Sequence, residues 1–506
     1  MGIMLNEDCN HFLNSRKNII EQVDVEYLHG FIDQYANTGV SDFIMNISAT
    51  LSYVPSKSVQ FAADKYLVKE EMGLPVDYTE DLVTRAAYHL WYEKGIDIYQ
   101  VWIDRCRYNK INPWLSFRMN NAEAPYKNEP HAHLSEYYYQ HYDDFSRVNH
   151  RTKYSALDMC RDYGIEEFRN YMLAYIEEMV NRYDVFGIEL DFLREHVCLK
   201  LGDEYEGRNI LTEFIGKVKK IVAKAEQKYQ HSIKILVRCP NEPRLAFDWG
   251  FDVVTWARKG LVNVIVPSSN WITTDNDAPL TLWNTILEPY NVEVVGCIER
   301  NINSHPEYFN TLVRREFGGF LQPNTLESFC GSVVATLSQI PNKIYLFNYM
   351  DAPETDPTPK EITRPIKEYS TILNCAANLE KAMRMPRKHI VSYNDTTLPW
   401  AKCNAVLPIK FGYCAIQCVR INTGIIPKDM KCVLRLGMTS NKNVANVYCN
   451  SVKVNFISQQ ACDKPVLTDN ELYCFEIPIH ARKEQYQVIE IQAAETTIDY
   501  VDIRVF

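Results

Sequence analysis

The chain has 506 residues, of which 46% are hydrophobic and 23% charged, with a formal net charge of −10. That length exceeds one ordinary core and implies about two units, or one large barrel with an accessory module. The acidic balance, with no basic run, argues against a partner bound through a phosphate backbone, so no nucleic-acid function is expected.

In chain order, eight short apolar runs close on polar residues. They are GIMLNED (2–8), FIMNISA (43–49), PWLSFRMNN (113–121), FGIELDF (186–192), IKILVRCPN (233–241), VNVIVPSSN (262–270), VEVVGCIERN (292–301) and KIYLFNYMD (343–351). Stretches with apolar residues at helical spacing lie between them, clearest at 166–183 and 209–229. Eight strand–helix repeats predict an α/β fold, a (β/α)₈ TIM barrel over 1–380, whose chemistry belongs at the carboxyl ends of its strands. From 381 to 506 the texture changes to short alternating segments, such as Val501, Ile503 and Val505 against Asp502 and Arg504. These predict an accessory β-sandwich of roughly seven half-buried strands.

The ends of the runs carry the candidate site. Asn6, Glu7 and Asp8 close the first, Arg118 and Asn120 the third, and Glu189 and Asp191 the fourth. Arg238, Asn241 and Glu242 follow the fifth, Asn270 and Trp271 the sixth, Glu299 and Arg300 the seventh, and Asn348, Tyr349 and Asp351 the eighth. The fourth run is the most telling. Alternation sends Gly187, Glu189 and Asp191 to one side and Ile188, Leu190 and Phe192 to the other, so two carboxylates share one face of an otherwise buried strand. Buried carboxylates are rare unless paired or at work. A Schiff-base lysine is not positioned, since Lys234 opens its strand. His131 and His133 form an H-x-H, but in a long loop after the third run, where a surface role is the expectation. No metal and no cofactor are expected. Glycoside hydrolysis remains, because it needs two carboxyl groups flanking an anomeric carbon.

The stretch FGIELDFLR resembles the fourth-strand motif of barrel glycoside hydrolases and their relatives, with Asp191 at the catalytic Asp position and Arg194 at the basic one. Phe186 stands where that motif leads with Asp. A second resemblance is to the large retaining clan whose acid/base lies at the end of strand four and whose nucleophilic Glu ends strand seven, the position of Glu299. That clan's acid/base follows an Asn, whereas Glu189 follows Ile188, and the Asn-Glu-Pro at 241–243 falls after strand five. The resemblance implies a glycosidase acting on carbohydrate. It leaves open which carboxylate is the acid, and a barrel that binds sugar without cleaving it remains the alternative.

From the residues themselves, Asp191 is expected to be the ionised nucleophile or base. Glu189, one pleat deeper, tunes it or pairs with Arg118 or Arg238. Glu299, a lone carboxylate at the end of an apolar strand, is the first choice of acid, and Glu242 the second. Trp271 and Tyr137, Tyr138 and Tyr139 are expected to stack on sugar rings over the rim. Fifteen cysteines without a C-x-x-C pattern imply reduced thiols and a cytoplasmic location. No apolar segment reaches the ~18 residues of a membrane span, nor the opening residues the apolar stretch of a signal peptide, so no membrane partner is expected. A homo-oligomer is compatible with all of this.

Overall fold

The apolar runs form parallel strands whose two faces are both buried, as continuous apolar character requires. The computed structural model describes residues 2–48, 50–71, 79–120, 134–145, 160–193, 196–269, 273–302, 324–348, 369–392, 406–413, 415–438, 444–460 and 471–506. Asn270, Trp271, Tyr349, Asp351, Arg194, His131 and His133 lie outside them.

The strands are β1 (Gly2–Asp8), β2 (Val40–Asn46), β3 (Asn112–Arg118), β4 (Gly187–Asp191), β5 (Lys234–Pro240), β6 (Val264–Ser268), β7 (Glu293–Val294), β8 (Gly296–Glu299) and β9 (Lys343–Phe347). They lie in the order β7-β6-β5-β4-β3-β2-β1-β9-β8. The predicted seventh strand is thus two short pieces. Its first residues pair with β6 and its last with β9, and between them the Val295 amide donates to the Ile265 carbonyl at 3.0 Å. The run crosses from one edge to the other and brings the sheet round into a nearly closed barrel.

Side-chain alternation sorts the strands as predicted. Ile3, Leu5, Phe43, Met45, Leu115, Phe117, Ile188 and Leu190 pack outward in the larger core. Met4, Ile44, Trp114, Leu236, Val264, Val266, Val295, Tyr345 and Phe347 fill the barrel interior. Gly187 is required at the inner wall, since a Cβ there would stand 2.3 Å from the Trp114 ring. The helix predicted over 166–183 spans Glu166–Arg182 and buries Phe168, Met172, Ile176 and Met179 at helical spacing. The one predicted from 209 begins at Glu204 and runs to Tyr229, where Gln230 turns left-handed at φ 60°.

The C-terminal strands are β10 (Arg387–Ile390), β11 (Ile409–Lys410), β12 (Ala415–Asn422), β13 (Cys432–Met438), β14 (Val444–Cys449), β15 (Val452–Lys453), β16 (Asn455–Gln460), β17 (Glu471–Glu476), β18 (Tyr486–Ala493) and β19 (Thr497–Val505). They form two antiparallel sheets, β10-β19-β13-β17-β16 with β11 beside β19, and β12-β18-β14-β15. Leu434, Leu436, Val501 and Ile503 of one sheet share a core with Val419, Ile421, Ile489 and Ile491 of the other. The described strands outnumber the seven expected, because β10 and the two-residue pieces β11 and β15 carry too little pattern to be seen.

The other face of β19 is not solvated, as strict alternation suggested. Asp502 is fully buried. It accepts from Arg435 Nε at 2.8 Å and from the Tyr500 hydroxyl at 2.6 Å. Tyr500, Ile390 and Leu472 pack on Ile302 of the barrel, so that face is a junction. The helix Leu326–Leu337 lies close to β10, where a Cβ on Gly331 would stand 1.9 Å from the Lys388 carbonyl oxygen.

Candidate active site

The inward positions of the strands, followed to their carboxyl ends, bring charge into the barrel mouth. Asp191 is the register partner of Arg118 on β3 and of Arg238 on β5. Both guanidinium groups bond its carboxylate, Arg118 through Nη1 and Arg238 through Nη1 at 3.4 Å to each oxygen. Arg118 Nη2 also donates to Asp8 Oδ1. Arg238 Nη2 donates to Glu299 Oε1, and its Nε donates to Ser268 Oγ at 3.0 Å. The ring of Phe347 lies against both, 3.8 Å from Arg238 and 4.7 Å from Arg118. Asn348, held in the left-handed region at φ 46°, donates Nδ2 to Asp8 Oδ2 at 2.6 Å. Three carboxylates from three strands therefore surround two arginines.

Burial acts against charge on both arginines. Arg118 is pulled down by desolvation, but Asp8 and Asp191 outweigh it and hold the group above its usual value. Arg238 behaves alike, with Asp191 and Glu299 as the counter-charges. Glu189 sits one layer deeper, fully buried. It accepts from the Tyr345 hydroxyl at 2.6 Å and from Asn6 Nδ2 at 2.8 Å. Burial first, and then the Asp191 charge, push its carboxyl up to about 7; the Tyr345 hydroxyl and Arg238 pull the other way.

Several expectations change against this geometry. The arginine pairing held open for Glu189 falls on Asp191, because the register places Asp191 between the two arginines. Glu299 is not lone, since Arg238 donates to it. Its peptide is held by side chains: its N–H donates to Thr274 Oγ1 at 3.0 Å, and its carbonyl accepts from Asn324 Nδ2 at 2.8 Å. Glu242 stands in a cleft beside Asp277 and Arg420; burial and Asp277 raise its carboxyl, and Arg420 lowers it. Alternation turns Glu7 outward with Ile3 and Leu5. Asn120 ties down the chain at Arg161, accepting from its amide at 2.8 Å and donating to its carbonyl at 3.2 Å. Asn241 donates to Asp275 Oδ2 at 2.6 Å.

Tyr137 and Tyr138 of the tyrosine cluster are packed and not open for stacking. Tyr138 is 3% exposed with the Arg161 guanidinium 3.4 Å from its ring centroid, and Tyr137 stacks on Tyr171 at 4.2 Å. Tyr345, Phe347, Ser268, Thr274 and Asn324 were missed. The first two share the inward parity of β9, a signal the sequence did carry. Among the described residues no group of three or more His, Cys, Asp or Glu side chains is placed to hold a metal ion. No described helix is long and apolar enough to cross a membrane.

Comparison with family models returns no match, and neither does comparison with curated proteins. Similar solved structures include a Paenibacillus sp. cycloisomaltooligosaccharide glucanotransferase, with a TM-score of 0.34 and 9% identity over 94% of this chain and 55% of that one. The Thermotoga maritima alpha-fucosidase has a TM-score of 0.37 and 10% identity, over 97% of this chain and 94% of that one. A glycoside hydrolase family 20 beta-N-acetylglucosaminidase has a TM-score of 0.38 and 8% identity, over 76% and 71%. The chain spans about half the length of the glucanotransferase. At these identities no residue role is carried over.

Proposed function

We propose that the chain is a glycoside hydrolase whose barrel, residues 1–380, cleaves a glycosidic bond at the mouth, with 381–506 as an accessory unit. The observation that carries this reading is the convergence of Asp8, Asp191 and Glu299 around Arg118 and Arg238 at the carboxyl ends of the strands, the face where barrel chemistry resides. In this reading Asp191, ion-paired with both arginines, is the nucleophile or base. Glu299 is its partner across Arg238, and Glu242 the alternative partner. Glu189 beneath them sets the local charge. A bound sugar has to displace Arg238 from Asp191 or Glu299 to reach both, so the guanidinium acts as an exchangeable stand-in for substrate. Among the described residues eleven cysteines carry free thiols, which supports a reducing, cytoplasmic setting.

The same contact favours a second reading. Arg238 satisfies both carboxylates at once, as it would in a barrel that binds sugar without cleaving it. Hydrolysis of a panel of aryl glycosides by the wild type and by Asp191→Asn decides between them. Turnover by the wild type that collapses in the variant supports the hydrolase; no turnover with retained sugar binding supports the second reading.

A further inference from the structure

Glu189 is fully buried inside the barrel, one layer below Asp191 on the same face of β4. It accepts from the Tyr345 hydroxyl at 2.6 Å and from Asn6 Nδ2 at 2.8 Å, and its register partner on β3 is Ser116. None of the three brings a positive charge. A carboxylate buried as an anion needs a cation or several N–H donors to hold it. Among the described residues no cation forms an ion pair with Glu189, because Arg118 is committed to Asp8 and Asp191, and Arg238 to Asp191 and Glu299.

The other strands add no counter-charge. Tyr345 stays un-ionised, since burial and the Glu189 charge raise its hydroxyl well above the ordinary value. On β8 burial pushes the Cys297 thiol up to about 12. Ile44 and Val266 make the β2 and β6 sides apolar. Lower in the barrel, Asp42 and Lys343 neutralise each other at 3.0 Å. Burial and the like charge of Asp191 therefore act on Glu189 against the pull of Arg238, and they outweigh it. The partners also suit a neutral acid. A hydroxyl or an amide can accept from a carboxyl O–H as well as donate to a carboxylate, whereas a guanidinium can only donate. Asn6 has an acceptor to spare: its Oδ1 is buried without a hydrogen bond, and a half-turn of the amide brings that oxygen to Glu189.

We propose that Glu189 works as a neutral acid, a positioning residue whose proton leaves Arg238 committed to Asp191 and Glu299 and whose loss sets the alkaline limit of the site. Once ionised, it competes from below for the guanidinium, and a downward shift of Arg238 disturbs the spacing of the two carboxylates above. This role rests on the hydrolase reading; the protonation itself does not, and is read separately.

The pH dependence of kcat/KM is measured with dinitrophenyl glycosides, whose leaving group needs no protonation, so that an acid such as Glu299 leaves no limb in the profile. Wild-type kcat/KM falls about tenfold per pH unit above about pH 7. Glu189→Gln, which cannot ionise, gives a profile that stays level to about pH 9, whatever its height. Circular dichroism checks that the variant is folded. Infrared difference spectra with isotope-labelled glutamate follow the proton directly, and Glu242→Gln controls for the other raised glutamate. A protonated-carboxyl band disappears over the pH range of the limb and is missing in Glu189→Gln.

A wild-type profile level to about pH 9, a limb that survives in Glu189→Gln, or absence of the band overturns the proposal. Should Glu189→Gln not fold, coincidence of limb and band in the wild type supports it and divergence overturns it. If no glycoside is turned over, the hydrolase reading fails and the infrared decides alone: the band supports Glu189 as the neutral acid, and its absence refutes it.

Discussion

Arg238 and Asp191 are register partners on neighbouring strands, and the Arg238 guanidinium meets both carboxylate oxygens of Asp191 at 3.4 Å. Arg118 closes on the same carboxylate from the opposite strand. Asp191 therefore links the two halves of the charge cluster, and replacing it leaves Arg118 with Asp8 and Arg238 with Glu299 as their remaining counter-charges. Asp191→Asn is expected to lower kcat on aryl glycosides by about 10²–10⁴-fold. It should also destabilise the fold by about 3–5 kcal/mol, the usual result of removing one member of a buried pair. Steady-state kinetics and urea melts measure the two effects; turnover within a few-fold of wild type would refute the assignment.

Glu189 gives a pH signature. Its carboxyl is raised from 4.5 to about 7 in the fold. Between those values the folded state holds a proton that the unfolded chain has lost. The contribution of Glu189 to stability is therefore full below about pH 4.5, declines as pH rises, and is gone above about pH 7. Glu189→Gln cannot ionise and removes this slope. Urea melts across pH 4 to 8 should show the variant gaining on the wild type through that window and then running parallel to it.

Tyr345→Phe tests what holds Glu189 down. The hydroxyl donates to the carboxylate, so its loss should raise the Glu189 carboxyl by about one further unit, a hydrogen bond to a charged group being worth about 1.5–3 kcal/mol. The wild-type slope would then extend to higher pH. An unchanged end point would mean that burial and the neighbouring charges of Asp191 and Arg238 set the value without the hydroxyl.

Arg435 and Asp502 lie at the junction of the sheets with the barrel, both buried. Asp502→Asn removes the carboxylate that faces the guanidinium and should cost about 3–5 kcal/mol. The double variant Arg435→Met with Asp502→Leu should recover most of that, since apolar replacements of buried pairs are often neutral or better. Equal losses in the single and double variants would show that the site needs the charges themselves.

Gly331 makes the same junction sensitive to volume. Its missing Cβ would stand 1.9 Å from the Lys388 carbonyl oxygen, a backbone atom that cannot rotate aside. Gly331→Ala should therefore destabilise by about 1–3 kcal/mol, read as a lowered midpoint of thermal unfolding. A neutral result would mean that β10 moves freely relative to the helix.

The alternation in GIELD gave the inward face of β4 from sequence alone, because a period of two needs no knowledge of neighbours. Register does, and it decided the pairing. Nothing in the sequence says that residue 191 sits opposite 118 and 238, so Glu189 and Asp191 could not be told apart as arginine partners. Glu299 misled for the same reason: its strand is apolar along the chain, but its counter-charge comes from β5. Tyr138 looked like a sugar platform by its place in a loop, yet Arg161 takes its ring. Asp502 looked solvent-facing because the sequence of a strand does not disclose what covers its second face.

The crossing of the seventh run from β6 to β9 has a consequence for Glu299. By the time the chain reaches it, the ladder continues only on the β9 side, and on the other the hydroxyl of Thr274 takes the place of a neighbouring strand while the Asn324 amide holds the carbonyl. On that side the peptide that carries the carboxylate is thus held by two replaceable side chains, hooks in place of a rail. A lineage could re-aim Glu299 by exchanging Thr274 or Asn324 while keeping every strand pairing of the barrel.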